Sequence, residues 1–321
     1  MNTQLSPTES LLGYASRRVA LCIGLLLAVA NLPARAEDCA GTALSGVGGV
    51  SKAWKLSDRG VAAFAKMNIN VDGYGRAYHP DNARAGALIH LCNAGRVYLF
   101  DGTRYEGSES NATCTGRFMS DVARIGQAGW RDPSVGAVQW YGILGEGSVT
   151  IKGRKIDAVI PVLNKDGSGF YVSPTSLFDK TVSDPADQSR YVNPLRIASA
   201  VMPNSLAAQG IAMGSFGVAL NVKKGIAVPF VVGDGGPRIG EGSVALARLQ
   251  VGVSLTDEIT RANRYVGQVD GPDVLWVFFG DAATTYDSKN EDALTASAKA
   301  AFARWGGEDR LARCVAIVPR N

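Results

Sequence analysis

Apolar residues along this chain come mostly in short runs broken by glycine-containing or polar turns, the pattern of strands rather than helices. Ala87-Leu88-Ile89-His90-Leu91 and Arg96-Val97-Tyr98-Leu99-Phe100 flank Asn93-Ala94-Gly95, a short connection that predicts a hairpin. Val138-Gln139-Trp140-Tyr141-Gly142-Ile143, Ser148-Val149-Thr150-Ile151 and Ala158-Val159-Ile160-Pro161-Val162 continue the pattern, with Lys152-Gly153-Arg154 as a turn. A further hairpin is expected from Val218-Ala219-Leu220-Asn221-Val222 to Ile226-Ala227-Val228 through Lys223-Lys224-Gly225. Val274-Leu275-Trp276-Val277-Phe278-Phe279 reads as a buried central strand whose aromatics belong to the core. Helical spacing is confined to three places. Residues 52–67 carry mixed apolar spacing that fits one helix, and Ser243 can cap a short helix over 244–249. Residues 291–305 place Leu294, Ala298, Ala301 and Phe302 on one face and end at Gly306-Gly307. The expectation is a mainly β (α+β) fold with an antiparallel, barrel-like core and a few peripheral helices.

The first 36 residues have the layout of an export signal. Arg17 and Arg18 precede an apolar run of about 14 residues, and Ala34-Arg35-Ala36 offers the small residues of a cleavage site. That run is shorter than the roughly 20 apolar residues that span a bilayer. A single domain over residues 37–321, secreted or periplasmic, is expected to follow, with no membrane partner and a monomer as the default. Taking Arg17, Arg18, Arg35 and Glu9 from 33 basic and 29 acidic residues leaves 30 and 28. No basic block remains, which argues against nucleic acid as a partner. Cys39, Cys92, Cys114 and Cys314 remain, an even count that reads as two disulfides in an exported chain. Of three pairings we favour Cys92 with Cys114, closing a local loop, and Cys39 with Cys314, tying the two ends of the domain. The only histidines are His79 and His90, and no C-x-x-C occurs, so neither a metal site, another cofactor nor a histidine-based triad is expected.

The candidate chemistry lies in Val231-Val232-Gly233-Asp234-Gly235-Gly236-Pro237-Arg238-Ile239-Gly240-Glu241-Gly242-Ser243-Val244. An apolar strand ends in a glycine-rich turn that carries Asp234, and Glu241 follows. Carboxylates held at the tip of a rigid strand can act as an acid and a base. This stretch resembles the chitosanases of glycoside hydrolase family 75, which carry an Asp after a hydrophobic strand and a Glu within a Gly-Glu-small-Ser motif. The resemblance extends upstream through Gly169-Phe170-Tyr171-Val172-Ser173-Pro174-Thr175-Ser176-Leu177, Tyr191-Val192-Asn193-Pro194 and Val201-Met202-Pro203, covering roughly residues 155–250. Fungal members carry Trp-Gly-Asp-Thr-Asn-Gly and a longer loop before the Glu, where this chain has Val-Gly-Asp-Gly-Gly-Pro. The resemblance implies an inverting, endo-acting glycosidase on chitosan with Asp234 and Glu241 as its catalytic pair. Of the two we assign Glu241, on the apolar Val244 side of the motif, as the general acid and Asp234 as the base.

Asp72 and Asp81 form an early acidic loop that can serve as a subsite for an amino-sugar polymer, and the resemblance adds Tyr171 and Thr175 to the candidate substrate contacts. Trp140-Tyr141 could stack on sugar rings, although an alternating strand sends one of the two to the core. Gly145-Glu146-Gly147-Ser148-Val149 echoes Gly240-Glu241-Gly242-Ser243-Val244. A true duplication would suit a pseudo-symmetric barrel such as the double-psi barrel, whose hydrolases also place an Asp between a strand and a Gly-Pro turn. Two alternatives stand beside the chitosanase reading: a peptidoglycan-directed glycosidase or transglycosylase, and a carbohydrate-binding β domain without turnover.

Overall fold

The strands at the centre of this protein are apolar on both faces, and their alternation separates two cores. The computed structural model describes residues 38–107, 113–280 and 283–321, which belong to one compact unit. The leader expected over residues 1–36 lies outside the described residues. The strands are β1 Gly41–Leu44, β2 Ala53–Leu56, β3 Val61–Asn70, β4 Gly95–Leu99, β5 Arg104–Glu106, β6 Gly136–Trp140 and β7 Gly145–Ile151. They continue with β8 Arg154–Pro161, β9 Ser199–Pro203, β10 Phe216–Asn221, β11 Ile226–Gly236, β12 Glu241–Ser243 and β13 Val269–Phe278. The α-helices are α1 Phe118–Gln127, α2 Val244–Leu249, α3 Glu291–Trp305 and α4 Gly307–Ile317.

Six strands close into a barrel in the order β3-β12-β9-β11-β10-β13, because β13 pairs with β10 on one edge and with β3 on the other. Closure leaves no barrel edge unpaired. The mainly β, barrel-like core with a few short helices is therefore as the sequence implied. The antiparallel expectation needs refinement at two seams: β3–β12 and β9–β11 run parallel. Parallel neighbours cannot be joined by a tight turn. From β9 the chain skips a place, forms β10, and returns through the 223–225 hairpin to lay β11 in the gap.

Along β3, Val61, Ala63, Ala65 and Met67 join Phe230, Val232, Trp276 and Phe278 in the core inside the barrel. The intervening Ala62 and Phe64 join Leu275, Val277, Phe302 and Trp305 in an outer core beneath α3. Such two-sided burial removes the polar alternation that marks a strand. This is why residues 52–67 read as a helix and fold as β2 and β3. The 291–305 helix, the cap of α2 by Ser243 and the 223–225 hairpin are as expected, and Gly306 (φ 124°) terminates α3. Lys152 and Gly153, at φ 47° and 77°, make the turn between β7 and β8.

A smaller sheet, β5-β4-β6, packs with α1 around a third core of Leu88, Leu91, Val97, Phe118, Ile125, Val138 and Trp140. The hairpin expected between 87–91 and 96–100 is not formed. Leu91 and Cys92 turn inward, Asn82 Oδ1 accepts from the Leu91 amide at 3.0 Å, and β4 pairs with β5 and β6 instead. Both favoured disulfides are present, Cys39–Cys314 and Cys92–Cys114, with Cα separations of 5.0 and 5.3 Å. The Gly-Glu-Gly-Ser-Val echo has no structural counterpart. One copy lies in the β7–β8 ribbon, and the other forms the β12 seam of the barrel. Among the described residues, no helix is long and apolar enough to cross a membrane.

Candidate active site

The polar face of β3 sets the site. Lys66, Asn68 and Asn70 alternate with inward-facing Ala65, Met67 and Ile69, so they project from the outside of the barrel near its end. The parallel β12 seam pairs Glu241 with Asn68 and Ser243 with Asn70, which brings Glu241 onto that face. Gly242 points the other way, and a Cβ there would meet Leu246 Cδ2 at 2.8 Å and Met67 Sδ at 3.1 Å. Ser243 fixes the seam: its hydroxyl donates to Ile197 O at 2.7 Å and accepts from the Ser199 and Leu246 amides at 3.0 and 3.2 Å.

Asp234 reaches the same place through a bulge in β11. The register against β9 shifts between Val232 and Asp234, breaking the inward alternation of Val228, Phe230 and Val232. Bulges commonly re-aim a side chain beside a functional site. A Cβ on Gly233 would lie 2.8 Å from Ser199 Cβ, so the bulge requires glycine. Four groups donate to the turned-out carboxylate. The Ser176 amide, the Ser176 hydroxyl and the Gly235 amide donate to Oδ1 at 3.0, 2.7 and 2.8 Å, and Asn70 Nδ2 donates to Oδ2 at 3.3 Å.

Asp72, two residues past β3, is the third carboxylate. Tyr78 OH donates to its Oδ1 at 2.9 Å and Ser173 Oγ lies 3.3 Å from the same oxygen, while its amide donates to Asn70 Oδ1 at 2.6 Å. Asn70 therefore holds the Asp72 backbone with its oxygen and the Asp234 carboxylate with its nitrogen.

The three groups feel one another. Burial raises the Asp72 carboxyl well above the usual carboxylate range, and the charges of Asp234 and Glu241 add to it. Glu241 is raised by burial and then by the Asp234 charge, against the pull of Arg238 and Lys66. Asp234 is also raised by burial, but its hydrogen bonds from Ser176, Gly235 and Asn70 oppose the shift. Among the described residues the Glu241 carboxylate has no hydrogen-bond or ion-pair partner. The pair thus differs in kind: Asp234 is solvated by protein donors, and Glu241 is desolvated beside a negative charge. Groups whose environments differ in this way divide into base and acid.

Of the expected substrate contacts, Asp72 joins the cluster itself. Thr175 is 8 % exposed and fully engaged, its hydroxyl donating to Leu177 O at 2.6 Å and accepting from the Val192 amide at 3.0 Å. It braces the loop that carries Ser176. Tyr171 is 6 % exposed in the third core beside Trp140, where burial pushes its phenol up to about 12. Its ring is a packing element and does not line a cleft. Asp81 is exposed in a separate turn, its amide donating to His79 Nδ1 at 3.0 Å. The structure adds Asn70, Tyr78, Ser173 and Ser176, none of which the sequence singled out for chemistry. The alternating Lys66-Met67-Asn68-Ile69-Asn70 was the available signal for Asn70, hidden by the helical reading of that segment. A cavity of about 400 Å3, lined by Arg196, Pro229, Leu255, Asp257, Glu291 and Lys299 among others, lies elsewhere and contains none of the three carboxylates. Among the described residues, no group of three His, Cys, Asp or Glu side chains is arranged to hold a metal ion.

Comparison of the chain with protein-family models gives no match, and comparison with curated protein sequences gives none either.

Proposed function

We propose that this protein is an exported, endo-acting glycoside hydrolase that cleaves chitosan or a related amino-sugar polymer with inversion at the anomeric carbon. The observation that carries the reading is the contrast within the carboxylate cluster: a four-donor Asp234 beside a desolvated Glu241 that has no hydrogen-bond or ion-pair partner among the described residues. In the proposed reaction Glu241 gives its proton to the glycosidic oxygen as the bond to the anomeric carbon breaks. Asp234 takes a proton from the water that attacks the opposite face of the same carbon. The products are two shorter chains, one with a new reducing end and one with a new hydroxyl. A proton returned from Asp234 to Glu241 through solvent restores the starting state.

Asp72 is not needed for either transfer. Burial and the charges of Asp234 and Glu241 both disfavour its ionised form. The charge left on Asp234 also suits a substrate bearing ammonium groups. The two disulfides fit an oxidising compartment, in keeping with export.

The test is a reducing-end assay of residues 37–321 on soluble chitosan, beside Asp234→Asn and Glu241→Gln. Release of oligosaccharides by the parent, lost by orders of magnitude in both variants, supports the reading. An intact polymer overturns the chitosan assignment, and cleavage of purified peptidoglycan in the same assay replaces it with an envelope glycan. Loss in one variant alone points to a single-acid transglycosylase, and binding without cleavage of either polymer to a carbohydrate-binding domain.

A further inference from the structure

Three large aromatics are substantially exposed among the described residues: Phe100 at 55 %, Tyr141 at 52 % and Tyr265 at 50 %. Tyr141 is the one tied to the carboxylate cluster. It follows β6, whose last residue, Trp140, is buried in the third core, so the alternation of the strand sends the Tyr141 ring outward. Its backbone is pinned on both sides. The amides of Tyr141 and Gly142 both donate to Ala94 O, at 2.8 and 3.2 Å. Gly142 O accepts from Ser173 Oγ at 3.1 Å, the same hydroxyl that reaches Asp72 Oδ1 at 3.3 Å. Gly142 also lies directly against Tyr78, since a Cβ there would meet the Tyr78 hydroxyl at 2.8 Å, and that hydroxyl donates to Asp72.

An exposed ring on a fixed backbone, one residue from the groups that hold Asp72, is a preorganised surface that loses little freedom when it is covered. Flat apolar rings with a polar rim suit the CH faces of pyranose units, and the phenol adds a hydrogen-bonding handle. Burial raises the phenol first and the Glu106 charge next, Arg96 opposes them, and the Asp72 charge adds a smaller push.

We propose that Tyr141 is a sugar-stacking platform that binds one pyranose ring of the polymer beside the cleavage site, on the Asp72 side of Asp234 and Glu241. This rests on the hydrolase reading for its catalytic consequence, but it can be read by binding alone. A platform outside the reacting bond acts on substrate capture rather than on chemistry. Replacing it should change KM and leave kcat nearly intact.

The experiment compares wild type, Tyr141→Ala and Tyr141→Phe in hydrolysis of chitosan and in retention on insoluble chitosan and on peptidoglycan. Because Tyr141 is half exposed, neither change disturbs a core. The alanine variant should raise KM on polymer about tenfold with kcat within about threefold, and the phenylalanine variant, which keeps the ring, should stay close to wild type. An unchanged KM in Tyr141→Ala overturns the platform. If wild type binds a polymer without cutting it, the hydrolase reading fails on its own, and retention decides: loss in Tyr141→Ala upholds the platform, equal retention overturns it. A wild type that neither cuts nor binds either polymer overturns both.

Discussion

Removing the Ser176 hydroxyl tests what would keep Asp234, the proposed base, ionised. Burial lifts the Asp234 carboxyl, and the largest opposing influence is the Ser176 side chain, which donates at 2.7 Å to Oδ1. A hydrogen bond to a charged group contributes roughly 1.5–3 kcal/mol. One pKa unit corresponds to about 1.36 kcal/mol. Ser176→Ala should therefore raise the Asp234 carboxyl by about one to two units, with the lower figure expected because Asp234 is partly open and water can replace part of the bond. The sign follows from its role. A general base works ionised, so a higher pKa moves the acid limb of kcat/KM to higher pH and leaves the alkaline plateau in place. At a fixed pH on that limb, activity should fall about tenfold for each pH unit that the limb moves. The assay is a pH profile of kcat/KM on soluble chitosan for wild type, Ser176→Ala and Ser176→Thr, the last keeping a hydroxyl. An acid limb that moves to lower pH, or that stays put with activity unchanged, refutes the assignment of Asp234 as the ionised member. A uniform loss at every pH would instead make Ser176 a purely geometric support of the 173–177 loop.

Other expectations concern stability. Asp72 has a raised folded pKa, so its contribution favours the folded state below the unfolded value of about 3.9 and is lost as pH rises through the folded value. Asp72→Asn should flatten the decline of Tm with rising pH in thermal melts, and an unaltered slope would count against burial of an ionisable group there. Asp58→Asn should leave the Arg310 guanidinium, 3 % exposed and held by Asp58 at 2.7 Å, without its counter-charge. The loss should be about 3 kcal/mol in denaturant unfolding, at the low end of the range for broken buried pairs because Asp58 is 23 % exposed. The disulfides should rank by loop length. Cys39→Ala with Cys314→Ala, across a separation of 275, should cost about 5 kcal/mol, and Cys92→Ala with Cys114→Ala, across 22, about 3 kcal/mol. Equal or reversed midpoints would contradict the chain-entropy account.

What could be read before folding divides along physical lines. Hairpins and capped helices are local, so the 223–225 turn, the Ser243 cap and the 291–305 helix followed from neighbours in sequence. The closed barrel followed only in outline. Its β3 strand buries both faces and so carries no alternation until Lys66, and its two parallel seams join segments with no local relation. At the site, Asp234 and Glu241 were visible because one glycine-rich turn holds both. Asp72 drew notice only as a loop residue. Its place in the cluster depends on Asn70, Tyr78 and Ser173, which converge from the end of β3, the segment that follows it and the 173–177 loop. Tyr171 and Thr175 were chosen for the company they keep in a motif, and that motif builds a buried brace.

The parallel β3–β12 seam also governs when the site comes into being during folding. It joins residues 68–70 to 241–243, and contacts so distant in sequence form slowly. Until that seam closes, Glu241 is an ordinary solvated side chain with an ordinary affinity for its proton. The proposed activity is then a reporter of ring closure. In refolding, activity should recover with the slowest phase, together with the burial of Trp276 inside the barrel, and well after helical signal from α3 and α4 has returned.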